Sequence, residues 1–329
     1  MKASSLLVWV LAASTADAQV VLAGGGATFP YPVYQKWFES YSKTKPDVRF
    51  TYSPVGSGRG IESLLKGDFD FAGSDIPLDG QENIVQFPSV AGAVVPIYRL
   101  NGVAQDLRFT PETLAGIFLG KIVRWNDPAL KAVNRGAPLP DRPIAVVHRS
   151  DASGTSFAFT DYLSKVSPEW KSRVGSGATV SWPVGLSAEG NEGVAKLVSG
   201  TPDSISYVEF VYALEQKLSF GEVRNGSGKF IQADLTSITA AAASAAGSVS
   251  ITAAPGRNSY PIATFTFLLV PRHPSSEAKG AALAAFLEWM LSAGQRQCSA
   301  LGYAPLPDAL AAEEKSRALE LRHSRKEPH

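Results

Sequence analysis

Cysteine is almost missing from this chain, with one residue, Cys298, in 329. A lone thiol closes no internal disulfide, which excludes a small disulfide-stapled scaffold even in an oxidising compartment. Cys298 therefore reads as a small buried apolar residue. An excess of one charge is missing too: Lys+Arg of 31 against Asp+Glu of 30 leaves a formal net charge of +1. No global field gathers nucleic acid or anionic lipid, so any anion must be held by local geometry. Histidine is scarce, at four residues, of which His323 and His329 fall in the C-terminal tail. No cluster of His, Cys or Asp suggests a metal centre, and nothing in the chain calls for a cofactor. The GxxxxGK[ST] loop is absent, so the lysine and magnesium-binding hydroxyl of a nucleotide site have no home.

What is present is ordinary globular material, 45% hydrophobic and 19% charged, with length for one large or two moderate cores. The N-terminus is the most legible signal. Lys2 precedes the apolar run Leu6 to Ala13 and the small residues "ADA" at Ala16 to Ala18. This order predicts a secretory signal peptide over residues 1–18. The apolar run is far shorter than the ~20 residues that span a bilayer. With no cysteine near the cleavage point a lipid-modified N-terminus is not available, and export should give a soluble protein.

Along the rest of the chain short β-rich runs alternate with helical ones. "VRFTYSPV" (Val48 to Val55), "FDFAGSD" (Phe69 to Asp75), "AGAVVPIY" (Ala91 to Tyr98), "PIAVVHR" (Pro143 to Arg149), "SISYVEF" (Ser204 to Phe210) and "IATFTFLLV" (Ile262 to Val270) read as strands. Strands interleaved with helices predict an α/β architecture with largely parallel sheets. Thr110 is placed to cap a helix that opens on Pro111 and Glu112 and ends near Gly120. Ala281 to Gly294 reads as an amphipathic helix closed by its glycine, with Phe286, Trp289 and Met290 as core packing. The Ala/Ser-rich segment from Ile238 to Gly256 fits a helix and loop or a surface excursion, and the charged tail fits a solvated terminal helix that frays.

Three loop-to-helix junctions share one chemistry. "GGGATFPYPVYQKW" from Gly24, "GSGRGIESLL" from Gly56 and "RSDASGTSFAFTDYL" from Arg149 each run through small and hydroxyl residues into an amphipathic helix. Each offers free backbone N–H groups at a helix start, equivalent to roughly half a positive charge, beside the hydroxyls of Thr28, Ser57, Ser153 or Thr155. Arg149 adds a planar fork suited to an oxyanion, and Asp151 is spaced to hold that fork in place. Any one junction alone would be helix capping. Together they predict an anion site.

These residues carry a resemblance. "GATFPYPVYQKW", "GSGRGIESL", "FAGSDIPL" and "RSDASGTSFAFTDYL" resemble, in order and spacing, the periplasmic phosphate-binding proteins of the Pst (phosphate-specific transport) ABC transporters. The likeness runs from about Ala23 to about Pro307 and takes in "GKIVRWNDPAL", "WPVGLSAEGNEGV", "SYVEFVYA" and "LGYAPLP". It implies a two-lobed periplasmic-binding-protein fold, each lobe a mixed, mostly parallel sheet flanked by helices, joined by a hinge that the chain crosses twice. The lobes would be residues 19–94 with 262–329, and 95–261. It also implies a monomer, not an enzyme, that captures inorganic phosphate in the periplasm and hands it to a membrane permease.

Carried over by matching positions, the ligand contacts would be Thr28 and the Phe29 amide, Ser57, Asp75, Arg149, Ser153, Gly154 and Thr155, with Asp151 pairing the arginine. Asp75 is the telling one, because a carboxylate in an anion cleft makes sense only if the ligand carries a proton to share. Phosphate does and sulfate does not, so an unmatched acceptor would disfavour sulfate but not arsenate; a receptor for another tetrahedral oxyanion, arsenate or sulfate, is the nearest alternative. Arg59 and His148 depart from the expected residue types beside the site. A secreted serine hydrolase or phosphatase is the alternative from another class, but neither Ser57 nor Ser153 lies in a GxSxG elbow. His148 neighbours Arg149 on a strand and should face the other way.

Overall fold

The computed structural model describes residues 19–78, 80–103, 105–244 and 250–323. The expected signal peptide at 1–18, part of the Ala/Ser-rich segment and the last residues of the tail lie outside the described residues.

The chain first lays down β1 (Val20–Gly26), α1 (Tyr31–Thr44), β2 (Val48–Ser53), α2 (Ser57–Lys66), β3 (Phe71–Ser74) and the long β4 (Ile84–Arg99). A middle stretch follows: β5 (Arg108–Phe109), α3 (Pro111–Phe118), α4 (Pro128–Val133), β6 (Ala145–Arg149), α5 (Gly154–Val166) and α6 (Pro168–Arg173). It continues through β7 (Leu186–Ala188), α7 (Gly190–Gly200), β8 (Ser204–Glu209), α8 (Phe210–Glu215), β9 (Ser219–Phe220), β10 (Glu222–Arg224), β11 (Phe230–Ile231) and α9 (Leu235–Ser244). The chain returns as β12 (Ala263–Pro271), α10 (Glu277–Trp289) and α11 (Asp308–His323).

The main sheet runs β2-β1-β3-β12-β4-β8-β6-β7, with β9 on β4, while β5, β10 and β11 form a small second sheet. The wings are parallel, β1 to β2 and β3 on one side and β6 to β7 and β8 on the other. That is what helical crossovers between neighbouring strands produce. The centre is antiparallel, because β4 and β12 carry the chain out of the first half and back into it.

β4 is the spine of the molecule. Up to Ala93 it pairs with β12, and from Val94 it pairs with β8. The Val94 N–H donates to the Ile262 carbonyl at 2.9 Å, beside the start of β12. Two extended segments thus pass side by side from one half to the other. Burial of β4 is continuous from Phe87 to Tyr98, as befits a strand covered on both faces. The strand starts at Ile84 rather than at the expected Ala91. Pro88 hid that start, since proline breaks strand patterning and is tolerated at an irregularity, here the register shift opposite Thr266/Phe267.

Aromatic side chains concentrate at two places within one continuous buried core. Phe38 stacks on Phe50 at 4.6 Å between centroids and Phe286 of α10 packs on both, while Phe159 stacks on Tyr207 at 4.3 Å in the second half. Thr110 caps α3 as expected, in a reciprocal pair with Thr113. Gly294 is not a helix cap. It has φ −61° and lies in a π-helical turn that follows α10, packed against Trp37 and Trp289. Nor is the tail helix wholly solvated: Glu314 and Ala318 of α11 are buried, and Arg317 lies over the Phe87 ring at 4.6 Å. After the Ala/Ser-rich helix α9, Thr252 is tied down to Asp161 and Lys165 of α5.

Candidate functional site

The loops that leave the carboxyl ends of β1, β2, β3, β6, β7 and β8 meet one another in the interior of the protein. Ligands in α/β proteins gather at this edge because the following helices point their N-termini at it.

Every residue that the sequence analysis nominated lies here. Thr28 and Phe29 follow β1, Ser57 is the first residue of α2, Asp75 follows β3, Arg149 ends β6, and Ser153, Gly154 and Thr155 open α5. Thr28, Ser57, Asp75, Arg149, Ser153 and Thr155 are all buried. Capping explains only one of the hydroxyls. Ser153 accepts the Ser156 N–H at 3.0 Å, whereas α1 and α2 have no side-chain cap and Ser57 Oγ instead accepts the Asp75 N–H at 3.2 Å. Among the described residues the backbone N–H groups of Phe29, Ser57, Gly154 and Thr155 meet no protein acceptor. Orphan donors in a buried place call for a ligand.

Contacts cross directly between the halves. The Gly58 N–H donates to the Ala152 carbonyl at 2.9 Å, and the Tyr212 hydroxyl donates to the Thr28 carbonyl at 2.6 Å. Gly56 has φ +88°, a backbone that favours glycine, and a Cβ there would sit 2.5 Å from Asp151 Oδ2.

Arg149 is a cation held by half of its fork. Its Nε and Nη2 donate to Asp151 Oδ1 and Oδ2 at 2.7 and 2.5 Å. Its Nη1 is buried without a hydrogen-bond partner among the described residues. Burial alone would raise the Asp151 carboxyl, but the Arg149 hydrogen bonds and charge, with the Gly190 N–H, outweigh it and hold the group below the usual carboxylate value. Asp75 behaves oppositely. Burial pushes its carboxyl up to about 7, against the lowering effects of the Thr266 hydroxyl and the Arg149 charge. Thr266 donates to Asp75 Oδ1 at 2.7 Å, and Oδ2 faces Gly154.

The sequence analysis missed Asn191, Glu209, Thr266 and Tyr212. Asn191 had a local signal, since "AEGNEGV" is a fourth loop-to-helix junction, opening on Gly190 at φ +71°. Thr266 and Tyr212 had none, being residues of a strand and a helix that only long-range packing brings to the pocket. His148 turns away from the site as expected, stacking on Trp182 at 5.0 Å with Nδ1 against the Arg149 carbonyl. Among the described residues neither Ser57 nor Ser153 bonds a histidine, so no nucleophile and base are paired here. Nor does any group of three or more His, Cys, Asp or Glu there suit a metal ion.

Buried donors without protein partners, gathered beside a fixed guanidinium and a buried carboxyl, are what a solute-binding protein for an oxyanion needs. Comparison with known proteins narrows the class. The family model of the PBP superfamily domain matches residues 13–293. The phosphate-binding protein PstS of Pasteurella multocida is 42% identical over 307 residues, covering 90% of this chain and 89% of its own. The PstS of Methanocaldococcus jannaschii is 39% identical over 327 residues, covering 89% of this chain and 84% of its own. Among solved structures, a high-affinity periplasmic phosphate-binding protein bound with phosphate shares the fold with a TM-score of 0.70 at 22% identity, over 90% of this chain and 93% of that one. The phosphate-binding protein of Stenotrophomonas maltophilia gives a TM-score of 0.67 at 21% identity, over 91% and 94%. The chain belongs to the PstS family of phosphate-binding proteins.

Proposed function

We propose that this protein captures inorganic phosphate outside the cytoplasm and delivers it to the membrane permease of a phosphate ABC transporter. The ion is held between lobes formed by residues 19–94 with 262–329 and by residues 95–261. The Thr28, Ser57, Ser153 and Thr155 hydroxyls and the Phe29, Ser57, Gly154 and Thr155 amides donate to its oxygens. Arg149 Nη1 supplies the full counter-charge, and Asp75 Oδ2 accepts the ion's own proton. The protein acts as a monomer and does no chemistry on its cargo.

The observation that carries this reading is Asp75: one oxygen is satisfied by Thr266 at 2.7 Å and the other lies against Gly154, whose amide has no protein acceptor. Such an acceptor is unfavourable beside any anion that has no hydrogen to give. Closure of the lobes removes water and strengthens each contact. Calorimetric titration of ligand-stripped protein with phosphate, sulfate and arsenate tests the assignment. Saturable 1:1 binding of phosphate with rejection of sulfate is expected, and equal binding of both would overturn it.

A further inference from the structure

Asn191 is fully buried in the first turn of α7, and its side chain bridges Thr28 of the first half and Thr155 of the second. Its Oδ1 accepts the Glu209 backbone N–H at 3.0 Å. A main-chain amide can only donate, so this bond settles which end of the Asn191 side chain is oxygen. Nδ2 must face the other way, where it meets Thr28 Oγ1 at 2.9 Å and Thr155 Oγ1 at 3.1 Å. The Asn191 backbone N–H makes a second, longer approach to Thr28 Oγ1 at 3.4 Å.

A hydroxyl has one hydrogen and two acceptor sites. N–H groups aimed at both threonine oxygens occupy acceptor sites and turn the hydroxyl hydrogens away. Among the described residues neither hydroxyl donates to a protein acceptor. Both are buried, so those hydrogens lack an acceptor until a ligand supplies one.

Resting on the phosphate reading above, we infer that Asn191 is a positioning residue that fixes the polarity of the pocket. It commits one hydroxyl from each half to donate to the anion, which leaves Asp75 as the acceptor toward which the ligand's proton is oriented. Thr28 belongs to the first half and Thr155 to the second, so the same amide also makes closure depend on correct hydroxyl orientation. Its anchor is Glu209 at the end of β8, opposite Val94 in β4, where the chain crosses between the halves.

Titration of phosphate into wild type, Asn191→Ala, Thr28→Val/Thr155→Val and the triple variant tests this as a mutant cycle. Asn191→Ala should weaken binding by ~10-fold or more in the wild-type background and by less than ~3-fold once both hydroxyls are gone. Equal losses in the two backgrounds would overturn the inference and leave Asn191 a packing role. A wild type that takes up no phosphate would instead overturn the function on which the inference rests. Should the variants fail to fold, neutron diffraction of the wild-type phosphate complex gives the answer directly. Deuterons on Thr28 and Thr155 Oγ1 should point at the anion, and deuterons pointing at Asn191 would refute the assignment.

Discussion

Gly154 at the tip of α5 and Ser57 at the tip of α2 touch across the interface between the halves. A Cβ built on Gly154 would stand 2.4 Å from Ser57 Oγ and 2.5 Å from Asp75 Oδ2. Two helix N-termini therefore meet with no space for one methyl group. Glycine is needed at this position for its missing side chain, since its φ lies outside the left-handed region.

Gly154→Ala should then weaken phosphate binding while leaving the fold of each half intact. Overpacking costs about 1–3 kcal/mol, or ~5- to ~150-fold in affinity. Calorimetry beside circular dichroism checks this; unchanged affinity would mean that the tips do not need to approach this closely.

Asp75→Asn should cost discrimination more than affinity. The amide can donate to a bare oxyanion, so sulfate binding should rise relative to phosphate. In the wild type, the Asp75 group, raised to about 7 by burial, gains a hydrogen as pH falls through that value. Sulfate binding should therefore strengthen on acidification in the wild type and show no such dependence in the variant. Parallel losses for both ions at every pH would show that Asp75 does not read the proton.

Arg149→Ala removes the buried guanidinium and leaves Asp151 alone with the Gly190 N–H. Truncating one partner of a buried charge pair costs about 3–5 kcal/mol. Phosphate affinity should fall by more than ~100-fold. Asp151→Asn should fall less, because Arg149 keeps its charge and loses only its tether. A ranking in the opposite order in competitive titration would make Asp151, rather than Arg149, the group that matters to the ion.

Glu209 should govern part of the pH dependence of stability. It is fully buried, accepts the Val211 N–H at 2.8 Å through Oε2, and its Oε1 has no hydrogen-bond partner among the described residues. Burial lifts its carboxyl well above the usual range, reinforced by the Asp75 charge and only partly opposed by the Val211 N–H. The folded form thus keeps a proton that the unfolded chain has already released. Stability is full below the unfolded value near 4.5 and is lost as pH rises toward the folded one, with a slope of up to about 1.4 kcal/mol per pH unit from this group. Urea unfolding midpoints should fall with pH in the wild type and fall less in Glu209→Gln; identical slopes would show that Glu209 titrates alike in both states.

Most of the candidate site was legible before any tertiary structure, for a physical reason. Helix N-termini need donors and hydroxyls within a few residues of each other, so "ATF", "GSG" and "SDASGT" carry their chemistry locally. The α/β alternation was legible likewise, because strand and helix periods are local properties of the chain. What no window of sequence could hold is pairing across distance. Thr266 reaches Asp75 from 191 residues away, and Asn191 meets Thr28 from 163 away. The antiparallel centre of the sheet, the change of partner between Ala93 and Val94, and the burial that raises Asp75 and Glu209 depend on which surfaces close on one another. The sequence by itself determined which groups could grip an oxyanion; only the folded chain decided that they converge, which hydroxyl points where, and which carboxylate keeps a proton.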